Sequence, residues 1–170
     1  GYSSLVFYEN RLKAHASVAT HLIGEGALPV HFIDTAGCGF DEKTEGASIS
    51  NPEEAAFVFK HLSQLVNTWS TYYTPENFPT IGIISPYRRQ VLLLQDQMQH
   101  AAHLKEYAHK ITINTIDSFQ GQERDIIYIS MTRTNPDSRI GFLSDIRRMN
   151  VAMTRARKKL VVIGDSATLS

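Results

Sequence analysis

Along the chain, short apolar runs alternate with stretches in which apolar residues recur every three or four positions. Val30 to Ile33 reads as a short strand, and the polar, acidic segment from Gly37 to Ser50 reads as a loop. Asn51-Pro52-Glu53-Glu54 then announces a helix. Asn51 can cap its first turn, proline suits the first helical position, and Glu54 at the third can reach back to the cap. Behind it Ala55, Val58, Phe59, Leu62, Leu65, Val66 and Trp69 recur at helical spacing, a face expected to be core and not chemistry.

Ile81-Gly82-Ile83-Ile84 is uninterruptedly apolar, the mark of a strand buried on both faces. Ser85-Pro86 stops it and opens a helix carrying Val91, Leu94 and Met98. Ile111 to Asn114 and Asp125 to Met131 read as further strands, separated by the compact polar segment Asp117 to Glu123. A helix is expected from about Asp145, with Ile146, Met149, Met153 and Ala156 on one side, and Lys159 to Gly164 closes the set as a strand. The alternation predicts an α/β domain with a mostly parallel sheet flanked by helices. No repeat, low-complexity tract or linker interrupts it, so residues 1–170 read as a single domain.

At 170 residues, with 42% hydrophobic and 20% charged positions, the chain can bury a real core and does not resemble a disordered tail. Seventeen basic residues balance seventeen acidic ones, so net charge is silent about a polyanionic partner. Distribution says more. Arg139, Arg147, Arg148, Arg155, Arg157, Lys158 and Lys159 crowd into one stretch against the single acid Asp145, enough for a local positive field or a solvated basic helix. Cys38 is the only cysteine, which excludes a disulfide framework and a cysteine-based zinc site and fits a reducing compartment. No apolar run reaches bilayer length and no leader pattern opens the chain. An intracellular protein with no membrane contact is expected, cytoplasmic or nuclear in a eukaryote. The opening Gly-Tyr-Ser, without Met, reads as a piece of a longer polypeptide.

Several signals lead nowhere. Phe32 to Gly37 has the look of a GTPase switch, but no phosphate-cradling G-x-x-x-x-G-K-[ST] loop precedes it. Gly37-Cys38-Gly39 hints at a dinucleotide fingerprint, yet Glu42 stands where the third glycine belongs. His100 and His103 lie three apart without a further ligand to complete a metal set. No G-x-S-x-G elbow offers a nucleophile.

Three stretches remain, each where a parallel strand ends and a helix or loop begins, the place where open α/β sheets bind ligands. In Ser85-Pro86-Tyr87-Arg88-Arg89-Gln90, a helix N-terminus offers free N–H groups to phosphate and Tyr87 could stack a base. In Thr115-Ile116-Asp117-Ser118-Phe119-Gln120-Gly121-Gln122-Glu123-Arg124-Asp125, Gly121 permits close backbone approach amid polar side chains, although a capped turn would look the same. In Gly141 to Arg157, a helix ending in arginines beside a buried strand could swing a guanidinium toward a γ-phosphate. Cations placed against a helix C-terminus are the plainer account.

Taken together, the three stretches resemble superfamily 1 helicases of the 1B group, typified by the nonsense-mediated-decay RNA helicase and its DNA-acting relatives. T-x-D-x-F-Q-G-x-E-x-D followed by an apolar strand is similar to that group's motif V. G-F-L-x-D-x-R-R-x-N-V-A-x-T-R-A-R is similar to its motif VI, and Ser85-Pro86-Tyr87 with Gln90 matches its S/T-P-Y-x-x-Q segment. The resemblance covers nearly the whole chain and implies a RecA-like P-loop NTPase fold, in its second, C-terminal motor domain. It implies that Arg155 is the arginine finger, that Glu123 meets the nucleotide on its sugar side, and that Gln120 and Gly121 lie near the phosphates. Pro86, Tyr87, Gln90, Thr115, Ser118 and Asn150 would face single-stranded DNA or RNA, while Arg147 and Arg148 would be structural or help place the finger. Movement from 5′ to 3′ is likewise implied.

The departures matter as much. The chain has no Walker A lysine, no acidic Walker B motif and no Q-Y-R-M-H-P run. In the family these belong to the first RecA-like domain, so ATP would be shared with that N-terminal domain of the same polypeptide, which would also hold most of the Mg. The chain alone is expected neither to hydrolyse ATP nor to unwind a duplex. One rival is a degenerate helicase half serving as a nucleic-acid-binding scaffold, which would have no need of Glu123, Gln120 and Arg155. Another is a flavodoxin-like or receiver-like domain, but Asp34 alone does not supply the acidic cluster a receiver requires.

Overall fold

A computed structural model gives the fold and describes residues 30–46, 48–119, 122–133 and 151–165. Among the described residues, seven strands run in chain order: β1 (Val30–Asp34), β2 (Lys43–Glu45), β3 (Ser48–Ser50), β4 (Ile81–Ser85), β5 (Ile111–Thr115), β6 (Arg124–Ser130) and β7 (Ala156–Gly164). Among the same residues, two α-helices, α1 (Pro52–Trp69) and α2 (Arg88–His100), precede 3-10 segments at Ala102–Lys110 and Asp117–Phe119. Five strands form one sheet in the order β1-β7-β6-β4-β5, with every neighbouring pair parallel. This is the parallel-sheet α/β architecture of the RecA-like class.

The apolar runs explain why the sheet sits where it does. Ile81, Ile83, Ile126, Tyr128, Val161 and Ile163 turn to one face, against Ala55, Val58 and Leu62 of α1 and Val91 and Leu94 of α2. Ile84, Ile127, Ile129, Leu160 and Val162 turn to the other, against Ile116, Phe119, Ala152 and Met153. Burying each such aliphatic side chain stabilises the fold by about 1.5–3 kcal/mol. Gly82 is the point of closest approach on this second face. A Cβ there would lie 2.9 Å from both Phe119 Cε1 and Ile127 Cδ1, so the glycine makes room for the Phe119 ring.

The expected elements that fall on described residues are present, with informative differences, while the helix expected from about Asp145 lies outside them up to residue 150. The segment read as a loop contains the antiparallel β2–β3 hairpin. All three β2 residues are exposed, so no hydrophobic alternation marked it. Helix α2 starts at Arg88, two residues after Pro86, and β7 begins at Ala156, three residues before Lys159. The 3-10 turns over Ala102–Lys110 had no periodic signal and place His103 against Ser63, with His103 Nε2 2.6 Å from Ser63 Oγ.

Helix α1 begins as its sequence says, but its carboxylate goes elsewhere. Asn51 accepts the Glu54 N–H through Oδ1 at 3.0 Å and donates to the Thr132 carbonyl at 3.1 Å. Its own N–H is taken by Gln90 Oε1 at 2.8 Å, so Glu54 has no capping role to perform. Instead Glu54 Oε1 accepts from Ser130 Oγ at 2.5 Å and from the Thr132 N–H at 2.8 Å. Gln90 Nε2 donates to the Asn51 carbonyl at 3.1 Å and to Ser130 Oγ at 3.0 Å, closing the network. Asn51, Glu54, Gln90, Ser130 and Thr132 are all fully buried. Burial pushes the Glu54 carboxyl up to about 7; the bonds from Ser130 and Thr132 work against the shift, and the charge of Asp165 adds to it.

Two outcomes are expected. Asn51→Ala removes the cap and strands the Thr132 carbonyl, and urea denaturation should show a loss of about 2–3 kcal/mol. Glu54 titrates higher in the folded chain than at its ordinary value of 4.5, so its stabilising contribution is complete below about pH 4.5 and is lost as pH rises through about 7. That loss amounts to about 3 kcal/mol. Melting temperatures taken from pH 5 to pH 8 should fall accordingly, and Glu54→Gln should flatten that component.

Candidate functional site

A parallel sheet has two chemically different ends, and the singled-out residues divide between them. At the carboxyl end of β4, Ser85 Oγ accepts the Tyr87 N–H at 3.2 Å and shares a hydrogen bond with Thr132 Oγ1 at 3.1 Å. Pro86 and Tyr87 are left half-exposed. Just beyond β5, the Ile116 N–H donates to the Ser85 carbonyl at 3.2 Å. Thr115 Oγ1 donates to Ser118 Oγ at 3.1 Å and accepts the Ser118 N–H at 3.4 Å. Pro86, Tyr87, Thr115 and Ser118 therefore share one edge. Helix α2 points its N-terminus there with no acid in its first turn, so its free N–H groups meet no competing negative charge on that turn.

Two residues not singled out from sequence complete this edge. Arg133, just past β6, interacts with Tyr87 and lies 2.9 Å from a Glu42 oxygen. Burial opposes the Arg133 charge, but Tyr87 and Glu42 outweigh it and hold the guanidinium above its ordinary value. Arg89 pairs with Glu45 of the hairpin at 2.5 Å, so the β2–β3 hairpin lies against the start of α2. Gln90 is a correction. It was expected to face the strand, yet it is fully buried and its amide is consumed by Asn51 and Ser130. It faces inward because it joins α2 to the buried network.

The second cluster lies at the opposite end. From Thr115 the chain crosses the sheet face through Ile116 and Phe119, with the Arg124 guanidinium 5.3 Å from the Phe119 ring centroid. Gln122 Nε2 donates to the Ser118 carbonyl at 3.4 Å, and Arg124 donates to Gln122 Oε1 at 3.0 Å and to the Glu123 carbonyl at 2.8 Å. The Arg124 N–H then donates to the Arg155 carbonyl at 3.0 Å, which sets Glu123 and Arg155 close together at the amino ends of β6 and β7. Arg155 closes a short helical turn, its N–H donating to Ala152 at 3.0 Å. Its Nε is buried and has no hydrogen-bond partner, whereas neighbouring Arg157 is paired with Asp125 at 3.4 Å. The length of β6 separates the two clusters by roughly 20 Å.

The expectation that all three stretches lie where strands end is thus not met for Arg155, while residues 141–150 of the third stretch lie outside the described ones. A helix that precedes a strand delivers its last residues to that strand's amino end, and Arg155 immediately precedes β7. Gln120, Gly121 and Asn150 lie outside the described residues, as do Arg147 and Arg148. Glu54 and Arg133 were missed. The signal for Glu54 was a carboxylate on the apolar stripe it shares with Val58 and Leu62. Among the described residues no group of three or more His, Cys, Asp or Glu side chains could hold a metal ion. No described helix is long and apolar enough to cross a membrane.

Comparison with known proteins shows the family. A family model described as an AAA domain matches residues 1–167. The chain is 35% identical over 192 residues to the DNA polymerase alpha-associated DNA helicase A of Saccharomyces cerevisiae, covering 99% of this chain and 26% of that protein. It is 35% identical over 180 residues to the DNA-binding protein SMUBP-2 of Mesocricetus auratus, covering 99% of this chain and 17% of that one. It is 36% identical over 183 residues to an ATP-dependent helicase of Methanocaldococcus jannaschii, covering 99% of this chain and 25% of that protein. The chain therefore spans between a sixth and about a quarter of the length of these curated relatives. On the matched family and these relatives, the chain belongs to the AAA-domain family of superfamily 1 helicases.

Proposed function

We propose that this chain is the C-terminal, second motor domain of an ATP-dependent superfamily 1 DNA or RNA helicase, folded as one RecA-like domain. It supplies half of an ATP site and half of a single-strand track. The observation that carries the reading is the pairing of two edges by one segment. Residues 115–124 begin beside Pro86 and Tyr87 and end beside Arg155, whose buried Nε has no partner.

In this reading Arg155 is the arginine finger. A buried, unpaired guanidinium donor suits an anionic oxygen supplied from across a domain interface, where it would stabilise the charge that develops on the transferring phosphoryl group. Glu123 meets the nucleotide on its sugar side, and Gln120 and Gly121 lie by its phosphates. Pro86, Tyr87, Thr115, Ser118 and Asn150 contact the strand by stacking and backbone contacts, so binding is largely independent of sequence and weakened by salt. The N-terminal RecA-like domain of the same polypeptide is the partner that supplies the remaining catalytic groups and most of the donors for Mg. None of the steps assigned to this chain uses a metal donor. Closure of the two domains brings Arg155 to the nucleotide, and residues 115–124 transmit that movement to the strand edge, in the 5′ to 3′ direction by family resemblance. A nucleic-acid substrate places the protein inside the cell, in the cytoplasm or, in a eukaryote, the nucleus.

ATP hydrolysis by the full-length parent, without polymer and with poly(dT) or poly(U), tests this reading. One polymer should stimulate turnover and so identify the substrate. Arg155→Ala should lower the stimulated kcat by about a thousandfold while nucleotide still binds. The 170-residue chain alone should show only background hydrolysis. A folded parent with no stimulated hydrolysis sinks the motor reading in favour of a helicase-derived binding scaffold.

A further inference from the structure

Helix α1 has no assigned part in the proposed reaction, yet it sends a buried carboxylate across to the strand edge. Glu54 Oε1 receives the Ser130 hydroxyl and the Thr132 N–H, 76 and 78 residues away in sequence. Thr132 has φ of 76°, a left-handed conformation that residues with a branched side chain rarely adopt. It holds that conformation because every polar group of its backbone and side chain is engaged. Its N–H goes to Glu54, its carbonyl accepts from Asn51, and its hydroxyl donates to the Ser130 carbonyl and meets Ser85 Oγ.

Both routes out of Thr132 end at Tyr87. Through the hydroxyl, Thr132 touches Ser85, which accepts the Tyr87 N–H. Through the chain, Thr132 aims Arg133 at Tyr87 and Glu42. We propose that Glu54 is a positioning residue for the single-strand track: by holding the end of β6, it fixes Arg133 against Tyr87 and so presents Tyr87 rigidly to a base. The proposal rests on the strand-contact role of Tyr87 given above. It assigns Glu54 no contact with nucleotide or nucleic acid.

The chemistry sets the discriminating variants. Two donors converge on one oxygen, so what Glu54 must supply is an acceptor at that point. Glutamine supplies it and alanine does not. Without it the Thr132 N–H is released, the left-handed turn relaxes and Arg133 leaves Tyr87.

The test is ATP hydrolysis by the full-length parent, titrated with the polymer that stimulates it. Glu54→Ala should raise the half-saturating polymer concentration at least about fivefold, because misplaced contact groups forfeit binding steeply. The KM for ATP and the unstimulated rate should stay within about twofold, and Glu54→Gln should return the polymer constant to near wild type. Amide exchange runs alongside on the same proteins. In Glu54→Ala the Thr132 and Arg133 amides should lose protection while β4 and β6 keep theirs. A polymer constant unchanged in Glu54→Ala overturns the proposal. So does a polymer constant that rises only in step with the ATP KM, or a glutamine variant as poor as alanine. Should Glu54→Ala not fold, Ser130→Ala removes one of the two converging donors and is read the same way. If the wild-type parent shows no stimulation, the motor reading fails. The brace is then decided by exchange alone: a faster Thr132 amide upholds it and an unchanged one refutes it.

Discussion

A parallel sheet with apolar side chains on both faces must be covered on both faces, and that requirement organises this chain. The wholly buried β4 and the interiors of β6 and β7 leave no side for water. Helices α1 and α2 cover one face. On the other, the described cover consists of Ile116 and Phe119 from one segment and Ala152 and Met153 from another. These are the two stretches that carry Thr115, Ser118, Glu123 and Arg155 as their polar neighbours. The segments with chemistry are thus pinned by their own apolar residues, so hydrophobic burial fixes where their polar side chains emerge. Gly82 shows how tight the seat is, since the Phe119 ring occupies the space a side chain would need.

The carboxyl edge is held by a different force. Asn51, Glu54, Gln90, Ser130 and Thr132 form a buried polar network in which one loss leaves another group unsatisfied, so its members depend on one another more than a packed hydrophobic cluster would. It ties the beginnings of both helices to the end of β6. A purely apolar joint of the same size could slide. Directional hydrogen bonds cannot slide without breaking, and that is the property an edge needs if Tyr87 is to hold one orientation.

Sequence reading succeeded where a signal was local and failed where a partner was distant. The apolar face of α1, its Asn51 cap and the buried β4 follow from spacing alone, and the order of the strands' chain segments was plain. The β2–β3 hairpin was not, because Lys43, Thr44 and Glu45 are all exposed and its Arg89–Glu45 contact bridges residues far apart in the chain. Glu54 was assigned to its neighbouring cap, the local choice, when its acceptor capacity goes to residues 76 and 78 positions on. Gln90 fits a short family pattern that says nothing of which way a side chain faces, and it faces the core. For Arg155 the sequence did hold the answer: a helix that leads into a strand must arrive at the strand's amino end, so two edges and not one could have been expected.

The charges at these edges bear on which arginine is available to a ligand. Net charge is zero, and several arginines are already committed: Arg133 to Glu42, Arg89 to Glu45 and Arg157 to Asp125. For any of these, an incoming phosphate must first displace a carboxylate, and the exchange recovers little. Arg155 differs. No described carboxylate pairs with it, and its Nε, like that of Arg133, is buried without a hydrogen-bond partner; leaving a buried donor unsatisfied costs about 1–3 kcal/mol, more for a charged group. An anionic oxygen arriving there displaces nothing and satisfies a donor already stripped of water. Among the described members of the basic stretch, Arg157 is paired with Asp125 and the Lys159 ammonium lies 5.8 Å from the Trp69 ring centroid.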